Sequence, residues 1–292
     1  MFYSDNFGGT LNFASRRELF GQRNILTISL SPQFEDEHSQ NYENLFGHTG
    51  ATTARGEGIS VNVPVYLEDQ FYVAPQLSII AGAQAIFAER HFIDEFLTDA
   101  DENQSNRQNF WGFNPKLGAI YEINRQIQAF MNLSRSWQPP SLDNLVEFTE
   151  GPNSSVVYTP LQPQHAWTIE VGTRGEYSRV QWELSLYRSW FRNDLLEVND
   201  AFGNDIGTRN VPRTNHQGIE ASLEVELLRD ILMPKQSNRA GDRLSLDQSY
   251  TLNDFHFDQN SVYGDNRLPG IPVHVYEAQL PVWFLCGPEP AV

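Results

Sequence analysis

Two acidic segments of this chain have the residue types of a cation site. Residues 99–103 begin like a calcium loop, with carboxylates at the first and third positions. However, Gln104 stands where such a loop needs glycine, and Phe110 replaces the bidentate glutamate at the twelfth position. Residues 35–38 offer three carboxylates and an imidazole, but successive residues of a strand point to opposite faces. We therefore predict no dedicated metal site, and at most a casual surface ion site.

The signatures of covalent and nucleotide chemistry are missing from the sequence. There is no Gly-x-Ser-x-Gly turn and no phosphate-binding glycine loop. The seven histidines are scattered without a His-x-x-x-His pair, and His216 is predicted to be structural. Cys286 is the only cysteine, which excludes a disulfide framework and a four-thiolate zinc site. The sequence therefore predicts no catalytic residues, no enzyme activity and no resident cofactor.

Charge and hydropathy exclude two further classes of protein. The formal net charge is −17, and Lys116 and Lys235 are the only lysines, so the chain lacks the basic stripe of a nucleic-acid-binding surface. The longest nearly apolar stretch, residues 77–88, contains Ser78 and Gln84 and is too short and too polar for a membrane-spanning helix. A transmembrane strand needs only about 9–11 residues, of which about half are apolar, so a barrel remains compatible with this composition.

The elements that must position any site are strands. Residues 219–227 alternate strictly, with Ile219, Leu223 and Val225 on one face and Glu220 and Glu224 on the other. About eleven such segments follow one another, joined in turn by tight links, such as residues 73–76 and 123–126, and by long polar links. This regularity is typical of an antiparallel, up-and-down transmembrane β-barrel and not of a sandwich with Greek-key connections.

The first strands lie on either side of a short link and precede a long polar stretch. It predicts a first strand near residues 10–19 and a second at about residues 25–34. A long polar stretch rich in Asn, Gly, Thr and Glu then reaches Gly56, and we expect it to be a loop. The third strand is expected at about residues 59–71, and the last at residues 273–280.

Several stretches resemble the TonB-dependent outer-membrane receptors, in their siderophore and ferric citrate branch. They follow the family's order over roughly residues 57–280, although each is weak alone. The stretches are residues 65–71 with 77–82 (VYLEDQF and LSIIAG), 113–121 (FNPKLGAIY), 134–141 (SRSWQPPS), 210–220 (NVPRTNHQGIE) and 268–272 (LPGIP).

The resemblance implies an outer-membrane location and a 22-stranded barrel closed by an N-terminal plug. Uptake of a ferric complex would be energised through TonB, with the iron arriving as part of the ligand. We expect residues 1–280 to form a partial barrel domain of about eleven strands, without the plug that would contact TonB. Residues 281–292 break the alternation, and we interpret them as an atypical tail produced by truncation or a frameshift. On this interpretation the chain is a fragment that does not transport alone.

For ligand capture, the resemblance implies loop and lumen side chains that meet an anionic or aromatic iron chelate. Arginine suits bidentate recognition of carboxylates. We therefore predict ligand contacts from Arg135 and Trp137 at the exit of the sixth strand, and from Arg213 at the entry to the ninth. The expected partners are the ferric chelate, outer-membrane lipid and lipopolysaccharide, and TonB through the plug, but no nucleic acid. A secreted all-β module that binds a glycan or another ligand, and a passive porin, are the alternatives.

Overall fold

The computed structural model of the protein describes residues 1–97, 102–148, 156–199, 205–231 and 241–283. In these ranges the chain is almost entirely antiparallel strand, with one short helix, α1 (Leu142–Leu145). None of the described helical structure is long and apolar enough to cross a membrane. The strands are β1 (Phe2–Gly8), β2 (Leu11–Ser15), β3 (Asn24–Leu30), β4 (Gln33–Leu45), β5 (His48–Ala74), β6 (Leu77–Asp94), β7 (Asn106–Glu122), β8 (Ile127–Gln138), β9 (Val146–Phe148), β10 (Val156–Tyr158), β11 (Gln164–Tyr177), β12 (Val180–Asn199), β13 (Asp205–Arg229), β14 (Arg243–Phe257), β15 (His274–Gln279) and β16 (Val282–Trp283).

One large sheet contains every strand except β9 and β10, which form a separate small hairpin. Three pairs of strands lie end to end: β1 with β2, β3 with β4, and β15 with β16. The fourteen strands of the sheet therefore make eleven successive antiparallel spans, which confirms the predicted number and the up-and-down order. Among the described residues β1 and β15 have no partner on their outer edges, so the sheet is a partial barrel.

The structure corrects the prediction for the polar stretch that ends at Gly56. Instead of a loop, β4 and β5 continue as a long hairpin with a turn at Phe46 and Gly47, both of which have positive φ. Likewise, the first span begins at Phe2 rather than near residue 10. These segments carry polar residues on both faces, so no apolar stripe marks them as strands, and their cross-strand hydrogen bonds hold them together.

The register divides the sheet into two chemically different faces. Met131, Val171, Leu186 and Ile219 lie in one row across four strands, and all four point to the same side, which we call the outward face. Large apolar side chains on this face are exposed, and Leu186 retains 47% of its accessible surface. Such exposure is expected of a wall that contacts lipid. We call the apolar zone of the outward face the apolar band; on β5 it runs from Ile59 to Leu67.

The opposite, inward face is polar. The row adjacent to that of Met131 carries Asn132, Glu170, Tyr187 and Gly218 on this face. The tight links at residues 75–76, 123–126 and 178–179 lie at one end of the sheet, the short-turn end. The connections from β6 to β7 and from β8 to β11 lie at the other, the long-loop end.

One ladder of the sheet is incomplete. β7 and β8 pair only from Lys116 opposite Ser134 to Glu122 opposite Gln128, whereas β6 pairs with β7 along nearly its whole length. Within the described ranges, residues 106–115 therefore have no strand partner on the β8 side. Pro115, which has no backbone N–H, stands where the ladder stops. Side chains from β8 cover this gap, which we call the β7–β8 seam.

Candidate functional site

The inward face is partly covered at the long-loop end by the segment that connects β8 to β11. Its helix α1 and its hairpin β9–β10 contribute Leu142, Leu145 and Val156 to a buried apolar cluster with Ala54 of β5 and Phe92 of β6. Glycines make room for this packing: a Cβ on Gly58 would lie 2.8 Å from Leu142 Cδ1. Residues 139–148 and 156–163 thus fold back onto the sheet and narrow the space inside the wall.

Arg90 fixes the start of this segment. Its side chain is buried on the inward face, where Nε donates to the Pro140 carbonyl at 3.0 Å and Nη2 donates to Asn62 Oδ1 at 3.1 Å. Nη1 donates to the carbonyls of Val61 and Glu89. Since a buried charged group is costly unless its donors are satisfied, this set of bonds makes Arg90 a structural anchor.

An acidic group lies beside this anchor. Burial, together with the nearby charges of Glu35 and Asp143, raises the pKa of Glu37 to about 7, although Arg90 opposes the shift. The outward residues at this level are Asp36, His38 and Glu57, so Glu37 lies beyond the apolar band. The carboxyl group of Glu37 therefore changes its protonation near neutral pH at the point where the covering segment meets the wall.

A second inward cluster surrounds His216 on β13. The imidazole stacks between Phe191 and Phe255, with both ring centroids 4.3 Å away. Its Nε2 lies 3.1 Å from Thr214 Oγ1, which donates to Asp194 Oδ2 at 2.6 Å. Because the hydroxyl proton is committed to the carboxylate, this arrangement is a closed polar network and not an activated nucleophile. It agrees with the structural role predicted for His216.

The inward face also forms a cavity of about 800 Å³ at the short-turn end. Residues from β8, β11, β12, β13, β14 and β15 line it, including Arg174, Glu183, Glu224, Asp247 and Glu277. Carboxylates outnumber cations in this set, and apolar side chains are few. The cavity is therefore suited to water and polar groups rather than to an apolar small molecule.

Of the predicted ligand residues, Arg135 and Arg213 lie on the outward face, beyond the apolar band toward the long-loop end, whereas the Trp137 ring lies where an inward Cβ of Gly112 would project, next to Ile86. Arg135 and Trp137 continue the row parity of Met131 on β8, and Arg213 continues that of Ile219 on β13. The register places Trp137 opposite His165, His165 opposite Arg192, and Arg192 opposite Arg213. The register therefore brings the three predicted residues into neighbouring rows, although the Trp137 ring does not share the outward surface of Arg135 and Arg213.

Arg135 and Trp137 also cover the β7–β8 seam. Arg135 Nη1 donates to the carbonyl of Phe113, and the Trp137 ring covers Gly112, where a Cβ would lie 2.3 Å from Cε3. Capture of the chelate by Arg135, Trp137 and Arg213 stays a prediction.

One cluster on the outward face has the ligand types of a cation site. Carboxylate or imidazole atoms of Asp36, His38 and Glu57 all lie within 4.8 Å of one another. Residues two apart on a strand share a face, and the third ligand comes from the neighbouring strand, where Glu57 is opposite His38. Sequence reasoning missed this set because it considered only adjacent residues. Of the calcium-like segment, residues 98–101 lie outside the described residues.

Arg90 and Glu37 were not singled out from the sequence. The available signal for Arg90 was its charge at an inward position between the apolar residues Ala88 and Phe92. For Glu37, burial and the nearby Glu35 raise the pKa, and Asp143, more than a hundred residues away in the chain, adds to the shift. No local pattern indicates the burial or the contact with Asp143.

Comparison with known proteins assigns the chain to a family. The sequence model described as TonB dependent receptor-like, beta-barrel matches residues 1–284. The catecholate siderophore receptor Fiu of Escherichia coli strain K12 is 26% identical over 129 residues, which are 44% of this chain and 16% of that protein. The Fiu protein of E. coli O157:H7 is 28% identical over 112 residues, or 38% of this chain and 14% of that protein.

Solved structures show the same fold at low sequence identity. The closed form of the ferric-catecholate import receptor Fiu from E. coli K12 matches with a TM-score of 0.66 and 16% identity, over 94% of this chain and 41% of that chain. The ferric citrate transporter FecA in its unliganded form matches with a TM-score of 0.69 and 16% identity, over 95% and 39%. The chain thus spans about two fifths of the length of these structures. It belongs to the TonB dependent receptor-like β-barrel family, whose members are outer-membrane proteins.

Proposed function

We propose that this chain forms part of the wall of an outer-membrane receptor that takes up a ferric complex of the siderophore or ferric citrate type, energised through TonB. The observation that carries the proposal is the family match over residues 1–284, together with relatives named as catecholate siderophore receptors. The iron is cargo that arrives within its chelate, so the proposal includes no resident cofactor and no catalytic step.

The division of the sheet into two faces supports this role. The outward face supplies the apolar band that a lipid-facing wall needs, and the inward face is polar and can line a hydrated path. The segment that Arg90 anchors covers part of the inward face at the long-loop end. A plug and the remaining spans, supplied by the rest of a longer receptor, would complete the enclosure in this proposal.

Chelate-dependent growth and uptake test the function. We expect a full receptor that contains this segment to fractionate with outer membranes and to show heat-modifiable gel mobility. It should also restore uptake of radiolabelled ferric chelates to an iron-starved strain that lacks its own receptors, and deletion of TonB should abolish that uptake. Uptake that persists without TonB would favour the passive porin, and a wholly soluble protein would favour the secreted module.

The predicted ligand contacts are tested in the same assay. Replacement of Arg135, Trp137 and Arg213 by alanine should weaken binding of the chelate if it reaches the outer rim of the wall. Replacement of Arg16 and Arg17, exposed in the link between β2 and β3, serves as a charge-matched control. Unchanged chelate affinity in the triple variant would remove these residues from the ligand site.

A further inference from the structure

Three side chains on the outward face converge at the base of the long β4–β5 hairpin. Asp36 and His38 lie two residues apart on β4, and Glu57 lies directly opposite His38 on β5. His38 Nε2 is 3.6 Å from Asp36 Oδ1, and ligand atoms of all three residues lie within 4.8 Å of one another. Because residues two apart on a strand share a face and opposite residues are neighbours, the register itself brings the three groups together. We call these residues the hairpin triad.

The Asp36 carboxylate points into the triad without a hydrogen-bond donor. The side chain as a whole is one third exposed, but its Oδ1 atom is fully buried and accepts no hydrogen bond from any described residue. A buried carboxylate oxygen without a partner is unfavourable. A cation held between the three side chains would supply the missing interaction.

The charges around the triad also favour a cation. Asp5 of β1 lies directly opposite Asp36, and like charges at opposite positions of antiparallel strands destabilise a sheet. In the described part of the chain, no lysine or arginine forms an ion pair with Asp5, Asp36 or Glu57. Arg55, two residues before Glu57 on the same face, is bound instead to Glu95 at 2.7 Å. These three carboxylates therefore lack a fixed positive charge within the described fold.

The donor set selects the class of metal ion. One imidazole nitrogen and two carboxylate oxygens are ligands of Zn²⁺, which is tetrahedral and can keep a water in its fourth position. Ca²⁺ needs about six to eight oxygen ligands, and Mg²⁺ prefers oxygen ligands and several waters. The ligand atoms of tetrahedral Zn²⁺ are about 3.4 Å apart, so Asp36 and His38 are already near the required spacing. The longer distances close by small rotations of the Glu57 side chain, which is partly exposed.

The triad lies at the level where the hairpin leaves the sheet. The ladder of β1 with β4 ends at Phe2 opposite Ser39, and the ladder of β6 with β5 ends at Asp94 opposite Gly56. Beyond these pairs, residues 40–55 form strand pairs only with each other among the described residues. An ion held between β4 and β5 at this level would therefore fix the base of the projecting hairpin.

We propose that the hairpin triad binds a zinc ion that clamps β4 to β5 at the base of this hairpin. His38 Nε2 and one oxygen each from Asp36 and Glu57 are the protein ligands. The expectation of no dedicated metal site considered only adjacent residues, whereas these ligands come from alternate positions of one strand and from its neighbour. The zinc ion is a structural ligand and not cargo, so the inference goes beyond uptake of the chelate.

Zinc binding to the detergent-purified receptor that contains this segment tests the triad. The receptor carries no histidine tag and is first freed of metal with a chelator, and isothermal titration calorimetry with zinc sulfate then measures the affinity. We expect His38→Gln to weaken one site of the wild type by more than about tenfold, because losing a ligand should cost at least as much as losing an outer partner of a ligand. His48→Gln removes an exposed imidazole near the tip of the same hairpin and should leave zinc binding unchanged.

Hydrogen exchange tests the clamp itself. Zinc should slow the exchange of backbone amides in residues 40–55 of the wild type, and it should not do so in His38→Gln. Retained heat-modifiable mobility will show that the variant is folded. If it does not fold, Glu57→Gln, which keeps the size of the side chain and removes its charge, should show the same loss of zinc affinity and of protection.

Equal zinc affinity in the wild type and His38→Gln would overturn the proposal. Complete displacement of zinc by millimolar Mg²⁺ would do the same, because that result is expected of a diffuse acidic surface. Zinc binding that leaves amide exchange in the hairpin unchanged would overturn the clamp. Uptake of chelate is not part of the readout, so a negative result would leave the proposed function standing, and a failure of the uptake assay would not touch the zinc result.

Discussion

The arginines on the two faces of this wall differ in whether the fold supplies partners for their hydrogen-bond donors. On the inward face, Arg90 is 6% exposed and gives its donors to a side chain and to backbone carbonyls. On the outward face, Arg192 and Arg213 are exposed, lie opposite each other and have no ion-pair partner in the described part of the chain. A residue whose bonds are completed within the fold stabilises that fold. An exposed arginine without an ion-pair partner adds little to the stability of the fold.

Exposure also differs between the two faces: apolar side chains are exposed on the outward face, and polar side chains are buried on the inward face. Leu186, Met131 and Trp190 are exposed on the outward face, whereas Thr214 and Ser189 are buried on the inward face. In a water-soluble domain this distribution would be unfavourable, but a wall between lipid and a polar interior requires it. The contrast between the faces can therefore be tested residue by residue.

The largest expected effect comes from a charge placed in the apolar band. Val63 lies at the centre of the band on β5, and Val63→Arg should destabilise the membrane-folded protein by about 2–4 kcal/mol. Gln84→Arg on the inward face of β6 is the matched control and should cost much less, because that face is polar. Urea unfolding in lipid vesicles measures both, and equal costs would show that the faces are assigned wrongly.

Removal of the inward anchor should have the next largest effect. Arg90→Ala leaves the Pro140 carbonyl and Asn62 Oδ1 without their donor in a buried site, which we expect to cost about 2–3 kcal/mol. Residues 139–148, which follow the lost bond, should also become more sensitive to protease. Arg107→Ala removes an exposed ion pair to Glu89 and should cost less than about 1 kcal/mol. A similar cost for both variants would contradict the anchoring role.

Glycine on the inward face should be less replaceable than glycine in open space. A Cβ on Gly218 would lie 2.2 Å from the Leu252 carbonyl oxygen and 2.7 Å from Tyr187 Oη. Because the carbonyl belongs to the sheet and cannot move away freely, Gly218→Ala should destabilise by about 1–3 kcal/mol. Gly9 has no neighbouring atom within 4 Å of such a Cβ, so Gly9→Ala should be close to neutral. The unfolding midpoints of the two variants give the comparison.

The smallest expected effect is a pH dependence from Glu37. Its pKa is about 7 in the folded protein and near 4.5 when unfolded, so the folded state binds the extra proton between these values. Its contribution to stability is therefore present at low pH and is lost as the pH rises through about 7. Since the carboxyl group is partly exposed, we expect only about 1 kcal/mol between pH 5 and pH 8. Glu37→Gln should remove this slope, and the exposed Glu43→Gln should not.

The sequence predicts the spans well wherever one face is apolar. The alternation at residues 219–227 lies within β13, and the number of spans agrees with the structure. The parity that places Met131 and Leu133 outward also places Arg135 outward, so its orientation was already present in the sequence. The extended hairpin of β4 and β5 was missed because two polar faces carry no periodic signal.

Other features depend on contacts between distant parts of the chain. The cluster of Asp36, His38 and Glu57 depends on the register between two strands, which the sequence alone does not define. The contact of Asp194 with Thr214 and His216 follows a left-handed residue, Asn193, whose φ of 52° interrupts the regular strand geometry. Such a residue changes the side-chain directions that alternation would predict.

The β7–β8 seam gives the wall a line of mechanical weakness. Elsewhere, neighbouring spans would have to break a long ladder to separate. Here residues 106–115 of β7 have no ladder to β8 in the described part of the chain, and the Arg135 side chain and the Trp137 ring reach across the gap. Backbone amides that border the gap should exchange with deuterium sooner than those in the β6–β7 ladder. If the wall ever flexes sideways in the membrane, it should bend first along this line.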